Sequence, residues 1–392
     1  MNNKIIDDNE INEWFESEEE IDEKPIDNTQ LTIEEKFSQS QLRVIRTSMD
    51  FTLHHLKQSL EDKEYINASP KYQRRHRWDI KKRSQLIESF LMNIPVPPVF
   101  LYENNYNQYE IMDGRQRIDT LRSFMNNEFP LRGLEFWKEL EAKRHHDLPQ
   151  IIQRGLARRT INAVVLLAET MKDSNDDMDI RKILFKRLNT GGVQLNPQEL
   201  RNALYPGDFN ELVSKLSRYP TFTEAWGIPD SNSDENNELS QKLIKNTLFK
   251  SMADCELVLR YFAIKRIITE NAKGSLRSIL DRTAKQYQFL DIAEIKRHEE
   301  DFKKTIDGLY DIFQEELFIM PSTGKLSRPL YDAFMVAYSN LNISEIGAPD
   351  DIKRVIHSVQ PGAKEYDILT GKGNTTESIR ERIDLATEIL KS

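Results

Sequence analysis

The chain contains a single cysteine, Cys255, so it can form no internal disulfide and no cysteine-built zinc site, which needs several thiolates. Leu257, Val258 and Leu259 lie beside it and point to a buried, inert thiol. Histidine is also scarce, with 7 in 392 residues. His54–His55 and His145–His146 are poor metal pairs, because adjacent helical residues point about 100° apart, and both pairs are expected to be solvated. No long uncharged apolar run occurs, and the first residues are acidic where a secretory signal needs a basic start and an apolar stretch. A cytoplasmic protein with no membrane partner is therefore expected.

The net charge of −9 is unevenly spread. Residues 1–35 hold thirteen Asp and Glu against Lys4 and Lys24, a local charge of −11, which leaves the remainder mildly basic. Such acid density with so little apolar surface predicts a disordered tail over 1–35. Within it, Ile11, Trp14 and Phe15 punctuate the acids and offer one turn of a partner-binding helix as the alternative.

Leu42 to Leu60 reads as a helix or helix-turn, with Leu53, Leu56 and Leu60 at helical spacing. Asp79 is a candidate N-cap for a helix carrying Ile80, Leu86, Ile87, Phe90 and Leu91, ending before Ile94-Pro. Val99–Tyr102 and Tyr109–Met112 read as paired strands, and Ile118, Leu121, Phe124 and Met125 as a following helix. Leu134–Leu156 reads as helical, Thr160–Leu167 as a buried strand, and Asp179–Leu188 as a helix. Asn196-Pro-Gln-Glu199 supplies an N-cap, a proline at the first helical position and an acid three residues after the cap. From about residue 208 the pattern is helical without strands, including Gln241–Ile268, Glu294–Glu316 and Leu326–Leu341. The fold class expected is α+β, with a mixed domain over 36–205 and an all-α domain over 206–392.

Asp113-Gly114-Arg115-Gln116-Arg117 sits where a strand turns into a helix. The glycine lets a ligand approach the backbone, the helix start attracts anions, and each arginine adds charge-assisted bonds of roughly 1.5–3 kcal/mol. The pattern suits a polyphosphate. Asp113 is the odd member: a carboxylate beside phosphates must hold a metal, position an arginine or orient water. The plainer alternative is an Asp-Gly turn flanked by surface arginines. Gln73-Arg74-Arg75-His76-Arg77-Trp78 adds cations and an aromatic ring, and Phe185-Lys-Arg187-Leu-Asn189-Thr-Gly-Gly192 adds a basic and an amide group before a Gly-Gly loop.

These three segments, the last continuing through Val193-Gln-Leu-Asn-Pro-Gln-Glu-Leu-Arg-Asn202, resemble in order and spacing the signatures of the GmrSD-type restriction system N-terminal domain family, over residues 66–205. Weaker helical similarity continues through Met252–Arg260 and Leu326–Tyr331. The resemblance implies a ParB/sulfiredoxin-like core with a nucleotide pocket, used in bacterial phage defence to bind or hydrolyse an NTP and control a nuclease. It carries nucleotide contacts onto Gln73, Arg74, Gly114, Arg115, Gln116, Arg117, Arg187 and Asn189, with Asp113 as the catalytic residue and the ligand for a Mg2+ ion. The family's commoner core has glutamine where this chain has Arg115 and an aromatic where it has His76, which bears on base choice and catalytic competence. Many relatives also carry an HNH nuclease. Beyond residue 146 this chain offers only His298 and His357, each expected at the surface, so the nuclease or effector is expected on a separate partner chain.

Two rival readings use the same residues. Lys71, Arg74, Arg75, Arg77, Lys81, Lys82 and Arg83 form a basic stripe suited to binding or nicking DNA. A non-catalytic scaffold, recruiting partners through the acidic tail and helical half, is the other.

Overall fold

The computed structural model describes residues 6–16, 46–62, 65–67, 78–167, 183–184, 187–188, 195–229, 241–371 and 373–392. Contacts divide the chain into two units, residues 28–195 and residues 1–27 with 196–392. The described fold is mixed α+β.

The chain begins with helix α1 (Asp8–Glu16), which belongs to the second unit. Within the first unit, β1 (Arg46–Thr52) runs into α2 (Leu53–Glu61), whose N-cap Thr52 accepts from the His55 N–H at 3.1 Å. A helix was expected from Leu42, but residues 46–52 are a strand. It pairs antiparallel with the full length of β5 (Thr160–Leu166), and that non-local ladder overrides the local helical spacing. The two-residue β2 (Ile66–Asn67) precedes α3 (Ile80–Leu91), where Asp79 caps the Lys82 N–H at 2.8 Å as its position predicts. β3 (Val99–Asn105) and β4 (Gln108–Asp113) form the expected antiparallel pair, followed by α4 (Arg115–Met125).

The sheet order is β1-β5-β3-β4-β2, with β5 parallel to β3 and β2 parallel to β4. Its core joins Phe51, Leu53, Ile87, Val99, Ile111, Ile118, Leu121 and Ile161. Residues 134–149 are not helical beyond two single turns, and only α5 (Gln150–Arg158) forms. The reason is a pair of carboxylates that take up the loop's backbone donors. Glu141 accepts from the N–H groups of Gly133 and Leu134, and buried Glu88 from those of Glu135, Phe136 and Trp137. Burial alone would raise the Glu88 carboxyl, but those three N–H groups outweigh it and hold it below the usual range.

His54 and His55 are exposed as expected. His145 is half-buried, edge-on to Phe124, and burial lowers its pKa.

In the second unit, α6 (Pro197–Leu204) starts with the expected reciprocal cap. Asn196 Oδ1 accepts from the Glu199 N–H at 2.9 Å, and Glu199 Oε2 from the Asn196 N–H at 3.0 Å. There follow α7 (Asp208–Leu216), α8 (Pro220–Ala225), α9 (Gln241–Lys245), α10 (Thr247–Lys250), α11 (Ala253–Thr269), α12 (Leu276–Tyr287) and α13 (Ile292–Phe313). The stretch expected as one helix over 241–268 is broken at Asn246, which caps α10, and at Met252, whose φ is 60°. A short hairpin, β6 (Ile319–Met320) with β7 (Lys325–Leu326), interrupts the strand-free pattern expected here. The chain closes with α14 (Arg328–Ser339), α15 (Pro349–Ser358), α16 (Lys364–Thr370) and α17 (Thr376–Leu390).

Cys255 is buried in α11, and His298 packs against Phe209, Phe262 and Tyr287 instead of standing at the surface.

Candidate functional site

β4 delivers Asp113 to the carboxyl end of the strand, beside Phe100 at the start of β3. Gly114 then adopts φ 89°, ψ 10°, and α4 begins at once. Only glycine fits this turn. The conformation is left-handed, and a Cβ would stand 2.5 Å from Val99 Cγ1 and 2.8 Å from an Arg117 terminal nitrogen. Gly114→Ala should therefore cost about 2–4 kcal/mol through left-handed strain and overpacking. A denaturant titration in which the midpoint stays at the wild-type value would show that the turn relaxes freely.

The tight turn places Arg117 across the end of the sheet. Its Nη2 donates to Asp113 Oδ2 at 3.0 Å and to the Pro98 carbonyl at 3.2 Å. The Arg117 side chain is 15% exposed and that of Asp113 is 31% exposed. Arg117 Nε is buried and, among the described residues, has no hydrogen-bond partner. One edge of the guanidinium is thus fixed by two acceptors while another nitrogen is left over. Arg115 pairs with Asp119 at 3.3 Å, one helical turn further on.

Trp78, the last residue of the first signature, meets the second. At the far end of the first signature, the Trp78 N–H donates to Gln116 Oε1 at 3.3 Å, and Lys82 Nζ stands 4.9 Å from the Trp78 ring. Asp113, Gly114, Gln116 and Arg117 with Trp78 are therefore one constellation, positioned by β4, α4 and the start of α3. Of the stripe, Lys81 and Lys82 are exposed, whereas Arg83 turns onto the Phe129 ring at 3.8 Å.

Gln73, Arg74 and Asn189, with Lys71, Arg75 and Arg77, lie outside the described residues. Arg187 is helical and exposed. The last part of the third signature is in the second unit and does structural work there. Arg201 is buried and pairs with Glu256 at 3.0 Å and Asp281 at 2.8 Å, and Gln198 Nε2 donates to Asn202 Oδ1 at 2.9 Å.

Three contributors to the site escaped the sequence reading. Asp119 lies at i+4 from Arg115, and that spacing alone could have identified it. The Pro98 carbonyl and the Val99 wall come from a neighbouring strand, and no local pattern announces them.

These residues do not fit a protein-held Mg2+ ion. Asp113 is occupied by Arg117 and Asp119 by Arg115, and no group of three His, Cys, Asp or Glu ligands occurs among the described residues. A small apolar cleft in the second unit is lined by Phe313, Leu317, Phe318, Leu330 and Phe334, with His357 and Glu316 also in its lining. It has no cluster of cations for a phosphate, so the β4–α4 junction remains the candidate site. No helix among the described residues is long and apolar enough to cross a membrane.

Comparison with known proteins gives no match to a curated protein or to a solved structure. A family model does match. With the strand-glycine-helix junction and its paired Asp113 and Arg117 inside the matched span, residues 53–206 match the family described as GmrSD restriction endonuclease, N-terminal domain.

Proposed function

We propose that residues 53–206 bind a nucleoside triphosphate at the β4–α4 junction and act as the nucleotide-reading part of a bacterial restriction or anti-phage system whose nuclease or effector is a separate chain. The observation that carries this reading is Arg117, held by Asp113 and the Pro98 carbonyl and packed against Gly114, where only a glycine leaves room for its guanidinium. A guanidinium fixed in advance loses little freedom on meeting a phosphate. The start of α4 adds a favourable field for anions, and the Trp78 N–H holds the Gln116 side chain beside it. A phosphate site at a strand-to-helix turn is also what the family resemblance implies for a ParB/sulfiredoxin-like core.

In this reading Asp113 is a positioning residue. Its carboxylate aims Arg117, and the nucleotide's own phosphates would carry any magnesium. Gln116, Arg115 and the Arg74 and Arg187 positions are proposed to complete the contacts, and hydrolysis is proposed as the event that resets the module.

Asp113→Asn separates positioning from catalysis. It keeps the shape and removes the charge that holds Arg117, so nucleotide affinity and phosphate release should fall together, each by about three- to tenfold, equivalent to roughly 0.7–1.4 kcal/mol. Calorimetric affinity and phosphate release at saturating nucleotide are measured side by side. A tenfold fall in turnover with unchanged affinity would instead make Asp113 catalytic. Wild-type protein that binds no nucleotide would remove the function proposed here.

A further inference from the structure

The acidic N-terminal segment was expected to be a disordered tail, yet residues 8–16 form α1 and bury Ile11 and Phe15. Its own sequence favours that helix only at the start, where Asp7 accepts from the Glu10 N–H at 2.8 Å and Asp8 and Glu10 stand in the first turn. At nine residues it is too short to be stable alone, and its own sequence carries Asp8, Glu10, Glu13 and Glu16 but no Lys or Arg. Burial and the neighbouring Asp7 push the Glu10 carboxyl up, so part of the acid face is docked against its own electrostatic preference. The groove beneath must therefore supply the stabilisation.

That groove has a specific chemistry. Ile11, Trp14 and Phe15 project from one face at i, i+3 and i+4, the spacing by which an amphipathic helix is read in a groove. The Trp14 ring meets fully buried Trp226 edge-on at 6.1 Å, and Trp226 stacks on Phe318 at 5.9 Å. The Arg328 guanidinium lies 5.1 Å from the Trp14 ring and its Nη1 donates to the Trp14 carbonyl at 3.2 Å. Thr247 Oγ1 donates to the Ile6 carbonyl, and Lys250 stands 3.7 Å from Asp8. The floor is aromatic and the rim, Lys250, Lys325 and Arg328, is cationic.

We propose that α1 is a displaceable strap, the occupant in cis of a groove that receives an acidic amphipathic helix of a partner protein. The partner's anchors would follow the Ile-x-x-Trp-Phe spacing of α1 within an acidic frame. Occupancy would be felt further in. Arg328 and Arg201 share the buried Glu256, at 3.9 Å from one carboxylate oxygen and 3.0 Å from the other, and Arg201 lies in α6, the helix built from the end of the third signature. The test of the groove needs no nucleotide.

The probe is a fluorescent peptide of residues 1–20, titrated into the full-length chain. In the wild type the groove is filled. In the Ile11→Asp/Phe15→Asp variant it is vacated, so the peptide should bind at least 100-fold more tightly there, and a Trp14→Ala peptide should lose that gain. Equal binding to both chains, or no binding to a variant that still unfolds cooperatively, would overturn the proposal. Hydrogen exchange on the unaltered chain gives a second reading should the variant fail to fold. Amides of residues 11–16 should exchange at least 100-fold faster than those of α11, whereas equal protection would make α1 a fixed part of the core and refute the strap. A concentration-dependent dimer of the wild type that disappears in the double variant would show exchange between copies and contradict occupancy in cis.

Discussion

Arg117→Ala should weaken nucleoside triphosphate binding by a factor of ten to a hundred or more while leaving the fold intact. The loss follows from the geometry. Arginine contributes charge-assisted bonds of roughly 1.5–3 kcal/mol each to a phosphate, and about 1.4 kcal/mol is tenfold in affinity. The stability change should be small because the pair is partly exposed: Asp113 is 31% accessible and can be solvated when its partner is removed. Arg117→Lys should rescue little. A single ammonium cannot reproduce a planar guanidinium that binds both Asp113 and the Pro98 carbonyl through one nitrogen. Calorimetry on the folded variants is the measurement, and wild-type affinity in Arg117→Ala would show that the phosphates are read elsewhere.

Asp332→Ala should produce the largest loss of stability. Arg260 and Asp332 are 1% and 2% exposed, and they form a two-pronged pair between α11 and α14, with Arg260 Nε donating to Asp332 Oδ1 at 3.0 Å and the terminal nitrogen to the other oxygen. Removing one partner of a buried pair leaves an uncompensated charge and typically costs about 3–5 kcal/mol. A second arginine adds to the burden. Arg382 is also buried, and its guanidinium pKa is pushed down by burial and by Arg260 but supported by Asp332. Replacing Arg260 and Asp332 together by Met and Leu should cost much less than the single change, since no charge is then stranded. Urea unfolding of the three variants distinguishes the cases, and a single variant as stable as wild type would mean that water reaches this pair.

The legible parts of the sequence were those whose chemistry is local. Asp79 and Asn196 announce helix starts because a capping side chain and its N–H lie three residues apart, and both caps form. The junction at Asp113-Gly114 was readable for the same reason, since strand, turn and helix follow one another without a gap. The rest depends on partners distant in the chain. Residues 46–52 carry no strong strand pattern, and their ladder with β5 comes from a segment more than a hundred residues later. Residues 134–149 looked helical until Glu88 and Glu141 claimed their backbone donors.

Charge was the other blind spot. An arginine in a sequence reads as surface, yet Arg201, Arg260, Arg328 and Arg382 are buried. In this interior Glu256 and Arg260 face Arg328 and Asp332. In the acidic segment the spacing of Ile11, Trp14 and Phe15 offered a helix only as the alternative to a disordered tail, and that alternative is the one that forms, as α1.

The central claim is that the β4–α4 junction reads a triphosphate, and the most direct test is a calorimetric titration of the unmodified chain with a nucleoside triphosphate, its diphosphate and its monophosphate. Saturable binding that weakens stepwise as phosphates are removed, and that is lost in Arg117→Ala, is the predicted result. Binding indifferent to phosphate number, or none at millimolar nucleotide, would contradict it.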